Sequence, residues 1–170
     1  MLAIGNAMST FTAQNIGAGN EKRVREGYRT CYFALAAFAA ALCVLTQSSG
    51  SLFISAFLDA EVSEEAFSVA MSYADFISFF YILIGLKATT DGLLRGAGDV
   101  TVFTVSNLAN LAIRVFVASF FAPRYGLEFV WYAVPLGWAT NYVISFGWYL
   151  TGHWKRIRLI EGGEKRPYRA

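Results

Sequence analysis

The feature that most constrains this chain is a stretch without a single charged residue, which runs over residues 30–58. Its first half, from Cys31 to Leu45, is apolar throughout. A helix needs roughly 20 predominantly apolar residues to cross about 30 Å of hydrocarbon, and residues 30–48 come close to that length. Charged residues make up only 15% of the 170 residues, against about 25% in an ordinary soluble domain. The sequence therefore predicts an all-α membrane protein, a polytopic helix bundle.

Five apolar segments are expected to form this bundle over residues 1–152, although the first segment is too short for a complete span. The third segment exceeds the thickness of a bilayer, so it must project from the membrane, tilt or break. Ser63 is expected to cap this third helix, Pro123 to end the fourth, and Pro135 to kink the fifth. The predicted helices cover residues 1–16, 30–48, 64–94, 100–122 and 127–151, and residues 153–170 form a basic tail.

Lysine and arginine occupy alternate connections between these segments. The first connection, the third and the tail are basic, whereas the second has no basic residue and the fourth has only Arg124. Basic loops tend to stay on the cytoplasmic side, so residues 17–29, residues 95–100 and the tail are expected to face the cytoplasm from the plasma membrane. Five spans then place the N-terminus outside, within an incomplete helix. This predicts the C-terminal part of a longer transporter-like protein, with a self-sufficient five-helix protein as the alternative.

A short repeat marks two of these connections, because Gly-Ala-Gly followed by Asn or Asp occurs at both. Glycine can end a helix in the left-handed conformation, and Asn20 or Asp99 can cap the helix that follows. Each copy is therefore predicted to make a tight turn between two helices. The residues assigned to these turns are Gln14, Asn15, Gly17, Gly19, Arg95, Gly96, Gly98 and Asp99.

Several function classes lack their characteristic residues in this chain. The Gly-Ala-Gly-Asn motif lacks the Lys-Ser/Thr pair and the preceding strand of a phosphate-binding loop, and the basic residues form no stripe for nucleic acid. Cys31 and Cys43 would lie about 18 Å apart on one helix, too far for a disulfide. His153 is interpreted as an interfacial anchor. No catalytic residue, metal site or cofactor is predicted, and nucleic acid is not an expected partner.

The third predicted helix carries charges near its end. Lys87, Asp91 and Arg95 are spaced i, i+4, i+8 and share one face, so Asp91 can pair with either neighbour. Charged side chains within membrane proteins usually face the bundle interior or a water-filled cavity. One interpretation is therefore a gate or an ion-coupling element, and the other is a helix end whose charges extend to the membrane surface. Asp75 is either a carboxylate in an outward-facing cavity or a solvated one.

The fourth and fifth predicted helices each carry a polar face. Asn107, Asn110 and Arg114 are spaced i, i+3, i+7, and an unpaired arginine in an apolar run is costly, so Arg114 is expected to point into the protein. These residues either line a substrate path or brace helices through hydrogen bonds. The stripe on the fifth helix either binds an organic cation by ring-face attraction or simply packs; it consists of Trp138, Asn141, Ser145 and Tyr149.

Three segments carry a family resemblance that covers nearly the whole chain: AQNIGAGNEKRVREGYR, GLLRGAGDVTVFTVSNLANLAIRVFVA and GLEFVWYAVPLGWATNYVISFGWYL. Together they resemble the last five of twelve helices in multidrug and toxic compound extrusion (MATE) transporters. The resemblance implies a fold of two six-helix lobes around a central cavity, with the first lobe as a partner of this chain. It also implies that Gln14 to Gly19 joins the eighth and ninth helices, and that Arg95 to Asp99 joins the tenth and eleventh.

By this resemblance the chain is expected to belong to an antiporter that exports small organic cations or other toxic compounds by alternating access, in exchange for H⁺ or Na⁺. It is not expected to be an enzyme, and membrane lipid is its expected surrounding. One branch of the family uses an acid in the tenth helix, to which neither Asp75 nor Asp91 can be aligned. The alternatives are a lipid-linked oligosaccharide flippase of the same superfamily, whose cavity would be more basic, and a non-transporting membrane remnant.

Overall fold

The computed structural model describes residues 1–57, 63–126 and 128–155, and every regular element in these ranges is helical. The predicted tail therefore lies outside the described residues from position 156 onward. The chain forms an all-α membrane helix bundle in which α4 packs against α1, α2, α5 and α6. Its helices are α1 (Leu2–Gly17), α2 (Glu21–Phe57), α3 (Glu64–Ser78), α4 (Tyr81–Gly96), α5 (Val100–Tyr125) and α6 (Phe129–Thr151), followed by a 3₁₀ turn (His153–Lys155).

Helix α2 is longer at both ends than the predicted 30–48 segment. It starts at Glu21 because Asn20 caps it, with Oδ1 accepting a hydrogen bond from the Arg23 amide at 3.2 Å. The connection predicted at residues 17–29 is therefore largely helical. At its other end, the backbone of Ser49 leaves helical geometry (φ −135°, ψ 15°) and the helix continues beyond this kink, as is common where serine and glycine adjoin.

The predicted helix over residues 64–94 is two helices, α3 and α4, which meet at an angle of 56°. Ser63 caps α3 as predicted, since its Oγ accepts from the Ala66 amide at 3.3 Å. The break follows from competing side-chain bonds, because Ser78 Oγ and Gln47 Nε2 both donate to the Asp75 carbonyl, at 2.7 and 3.1 Å. Of the three possibilities for this overlong segment, the structure thus shows a break.

Helices α5 and α6 pack against each other along their length. The sequence predicted that Pro123 ends α5, but the helix continues to Tyr125. A proline removes only its own hydrogen-bond donor, so the last turn can form around it. Gly126 then ends it at a φ of +103°. Helix α6 starts at Phe129, two residues later than predicted, and it runs through Pro135 as one helix.

Length and mean hydropathy support two or three of the five predicted spans. Among the described residues, Glu21–Ser55 and Val100–Tyr125 are long and apolar enough to cross a membrane, and the bent pair α3–α4 is a third if it forms one span. Helix α1 has 16 residues, short of the roughly 20 required. Helix α6 has 23 residues, but its tryptophans, tyrosines and asparagine lower its hydropathy.

The two Gly-Ala-Gly turns have the same backbone geometry. Gly19 and Gly98 are left-handed, at φ +71° and +85°, and the amide of the next residue reaches five residues back, from Asn20 to Asn15 and from Asp99 to Leu94. Both turns are thus Schellman caps, as the repeat predicted. Asp99 does not cap α5, because its carboxylate instead accepts a hydrogen bond from Trp148 Nε1 at 2.6 Å.

Helices α1 and α4 are in backbone contact along a seam of small residues. A Cβ on Gly92 would overlap the carbonyl oxygen of Gly5, and one on Gly96 would overlap that of Ser9. Ala88, Gly92 and Gly96 follow each other every four residues on α4, which is the small-residue spacing that brings membrane helices together. This seam fixes α4 against α1, and the polar residues described next lie on the adjoining face of α4.

Candidate functional site

The centre of the candidate site is Asp91, whose side chain is buried where α4, α5 and α6 meet. One carboxylate oxygen, Oδ2, accepts from Lys87 Nζ at 2.9 Å and from Asn107 Nδ2 at 3.2 Å. The other, Oδ1, accepts from Ser145 Oγ at 2.7 Å. Each of the three helices therefore supplies at least one donor to this buried charge, as a buried carboxylate requires.

Lys87 completes the site as the counter-charge of Asp91. Their side chains are 15% and 5% exposed, so the ion pair is largely removed from water. Lys87 Nζ also donates to Asn107 Oδ1 at 3.0 Å. The Asn107 amide is itself fixed by a bond from Nδ2 to the Phe103 carbonyl at 2.7 Å. A buried pair offsets its desolvation only when such further hydrogen bonds are present, and here both partners have them.

Asn141 and Asn110 extend the polar region along the α5–α6 interface. Asn141 Oδ1 accepts a long bond from Ser145 Oγ at 3.5 Å. Among the described residues, neither Asn141 Nδ2 nor Asn110 Oδ1 has a hydrogen-bond partner, although both atoms are buried. Gly137 lies against Asn110, where a side chain at position 137 would overlap the amide oxygen. The interface thus contains an unused donor and an unused acceptor.

Four other predicted residues make no hydrogen bond to Asp91. Arg95 does not pair with it, because its Nη2 donates to Asn6 Oδ1 on α1 at 2.7 Å. Arg114 is exposed, with its stem against Gly137, whereas the sequence predicted that it points into the protein. Asp75 and Trp138 are half-buried, and neither side chain makes a hydrogen bond to the Asp91 cluster.

A small cavity of about 210 Å³ opens beside Asp91, between α1, α4 and α5. Its wall combines ionic and amide groups with a few apolar ones, and it carries two cationic side chains and one carboxylate. A cavity of this size holds a few waters or a small headgroup rather than a whole drug. The residues that line it are Leu2, Gly5, Asn6, Lys87, Ala88, Asp91, Gly92, Arg95, Phe103 and Asn107.

A second polar cluster, which the sequence did not reveal, joins α2, α4 and α6. Tyr28 and Tyr32 hydroxyls lie 2.7 Å apart, and Thr90 Oγ1 lies 2.6 Å from the first and 3.3 Å from the second. Tyr32 also donates to Tyr142 at 3.0 Å. An aromatic groove of about 420 Å³ lies over it. The i, i+4 spacing of Tyr28 and Tyr32 is the available signal, but tyrosine is enriched at membrane interfaces in general.

The chain is similar to known proteins over most of its length. A family model described as MatE matches residues 1–120. The chain is 27% identical over 160 residues to the probable multidrug resistance protein YpnP of Bacillus subtilis (strain 168). This alignment covers 94% of this chain and 35% of that protein. The chain thus spans about a third of the length of this curated relative. No solved structure matches it significantly.

Proposed function

This chain belongs to the MatE family of multidrug and toxic compound extrusion transporters, and we propose that it works within a secondary active efflux antiporter. The proposed activity is export of organic cations or other toxic compounds in exchange for H⁺ or Na⁺, by alternating access. The matched relative is named a probable multidrug resistance protein, which supports this class of substrate. Because the chain spans 35% of that relative, we further propose that it assembles with a first lobe that supplies the rest of the central cavity.

The observation that carries this proposal is the buried Asp91 cluster. A carboxylate, an ammonium, an amide and a hydroxyl from three helices converge on one point beside a cavity. Ionisable groups inside a membrane protein are costly and commonly mark ion or substrate pathways. We assign Asp91 as the ion-coupling carboxylate, and Asn107 and Ser145 as the groups that hold it in place.

The proposed orientation places both Gly-Ala-Gly turns on the cytoplasmic side of the plasma membrane. The ends of α1, α4 and α6 and the starts of α2 and α5 lie together at this end of the bundle, where Trp148 of α6 bonds Asp99. Lys22, Arg23, Arg25 and Arg29 all lie there too. Basic residues gathered at one end support a cytoplasmic location for that end.

A flippase for lipid-linked oligosaccharides is less well supported by the cavity. A pyrophosphate would need several unpaired cations. Of the two cations at the cavity wall, Lys87 is paired with Asp91, and Arg95 is exposed and bonded to Asn6. The lining therefore has one net positive charge, which favours the antiporter over the flippase.

The test is drug resistance conferred by the complete gene in a drug-sensitive bacterial strain. Asp91→Asn should abolish resistance, because it removes the coupling charge while keeping the shape of the side chain. Glu26→Gln is the matched control, since it removes one carboxylate charge from the exposed surface of α2 and should leave resistance intact. Both variants are compared at equal membrane abundance.

Two results would count against the proposal. Full resistance in the Asp91→Asn strain would remove Asp91 from the coupling mechanism. If the wild-type gene confers no resistance but replaces a depleted lipid-linked oligosaccharide flippase, the flippase is the correct function.

A further inference from the structure

We propose that the Lys87 ammonium is a resident cation that keeps sodium out of the Asp91 cluster. In this view, Lys87 takes the place that a monovalent metal ion would otherwise occupy, and the wild-type protein does not bind Na⁺ there. The inference deepens the proposed antiport function and rests on it, because it specifies which ion the cluster admits.

The geometry around Lys87 Nζ is that of a small oxygen-ligated cation site. Asp91 Oδ2 lies 2.9 Å away and Asn107 Oδ1 lies 3.0 Å away. Carboxylate and amide oxygens are the ligands that hard metal cations prefer. The two oxygens come from different helices, α4 and α5, and the Asn107 amide is fixed by its bond to the Phe103 carbonyl. The ligands are therefore in position before any ion arrives.

The remaining surface of the Asp91 carboxylate offers no second site. Oδ1 accepts from Ser145 Oγ at 2.7 Å, and Oδ2 accepts from Asn107 Nδ2 at 3.2 Å as well as from Lys87. Of the charged groups that face the cavity, Arg95 adds a second positive charge one helical turn beyond Asp91. Helices α1, α5 and α6 contribute neutral groups to the cluster and the cavity wall.

Repulsion makes the exclusion strong. A sodium ion placed about 4 Å from the ammonium, at an effective dielectric constant of about 20, would lose about a thousandfold in binding constant. Replacing Lys87 by methionine removes this charge and keeps most of the length of the side chain. The freed oxygens of Asp91 and Asn107 would then face the cavity of about 210 Å³, from which sodium can enter.

The experiment measures equilibrium binding of radioactive sodium to the full-length protein, purified from its complete gene in detergent at mildly alkaline pH. Wild type should show no saturable binding that depends on Asp91. Lys87→Met should gain a saturable site, with an affinity about a thousandfold above any residual binding to wild type. The double variant Lys87→Met/Asp91→Asn should lose that site again, because it lacks the charged ligand.

Folding is controlled separately, because Lys87→Met leaves a buried carboxylate without its partner. Lys87→Gln keeps a hydrogen-bond donor at the position and should gain the same site. Each variant must elute as a single species in size-exclusion chromatography. Sodium binding by wild type that is lost in Asp91→Asn would overturn the inference, as would the absence of binding in both folded Lys87 variants.

The antiport function and the role of Lys87 fail on different results. If the wild-type gene confers no drug resistance but the Lys87 variants gain sodium binding, the antiport function is wrong and the role of Lys87 is kept. If the wild-type gene confers resistance and the wild-type protein binds sodium through Asp91, the antiport function is kept and the role of Lys87 is wrong.

Discussion

Replacing Gly92 by alanine should weaken the contact between α1 and α4. The added methyl would overlap the Gly5 carbonyl oxygen and would lie 3.0 and 3.2 Å from the Gly5 carbonyl carbon and Cα. Carbon atoms in contact prefer a separation of about 3.5–4.0 Å, so the two backbones must move apart by at least about 0.5–1 Å. Because backbone atoms cannot rotate away as a side chain can, the cost should be that of overpacking, about 1–3 kcal/mol.

Gly147→Ala is the matched control for this prediction. Gly147 lies within α6, and nothing lies within 4 Å of the position its Cβ would take. Both substitutions gain the same helix propensity, about 0.5–1 kcal/mol, so the difference between them isolates the steric term. The assay is the free energy of unfolding of the full-length protein, measured by titration with sodium dodecyl sulfate in mixed micelles. Equal stabilities for the two variants would refute the backbone contact.

Three other substitutions test separate parts of the structure, two by the same unfolding assay and one by proteolysis. Trp148→Phe should lower stability by about 1–3 kcal/mol, because the buried Asp99 carboxylate loses its donor; an unchanged value would contradict the link between α6 and the second Gly-Ala-Gly turn. Ser63→Ala should cost about 0.5–2 kcal/mol through loss of the α3 cap, detected as faster proteolysis near residue 63, while Ser63→Asp should restore protection. Asn107→Leu should destabilise by about 1–3 kcal/mol, since it removes hydrogen bonds to a buried ion pair, and a neutral result would show that Asp91 is not held by α5.

Features that depend on neighbours in sequence could be predicted from the sequence. The Ser63 cap and the two left-handed glycine turns are each decided within about six residues, so residue type and spacing were sufficient. The shared face of Lys87 and Asp91 likewise follows from helical periodicity alone. The sequence leaves open which neighbour Asp91 pairs with, because that depends on Asn107 and Ser145, which belong to other helices.

Features that depend on packing could not be predicted. The apolar neighbours of Arg114 predict that it points into the protein, but its exposure depends on which helices pack against α5. The break between α3 and α4 was one of three possibilities, and the bond from Gln47 to the Asp75 carbonyl, which favours it, spans 28 residues. The tyrosine hydroxyl cluster requires α2, α4 and α6 to meet around Thr90, and no local pattern encodes that meeting.

The seam between α1 and α4 has a mechanical consequence. Two helices in backbone contact, with no side chains between them to repack, slide past each other with difficulty and tend to shift as one rigid body. Bending is then expected where regular backbone hydrogen bonding is interrupted. These places are the 56° bend between α3 and α4 and the kink at Ser49. We expect the chain to bend at these two points, while α1 and α4 move together as one unit that carries Asp91.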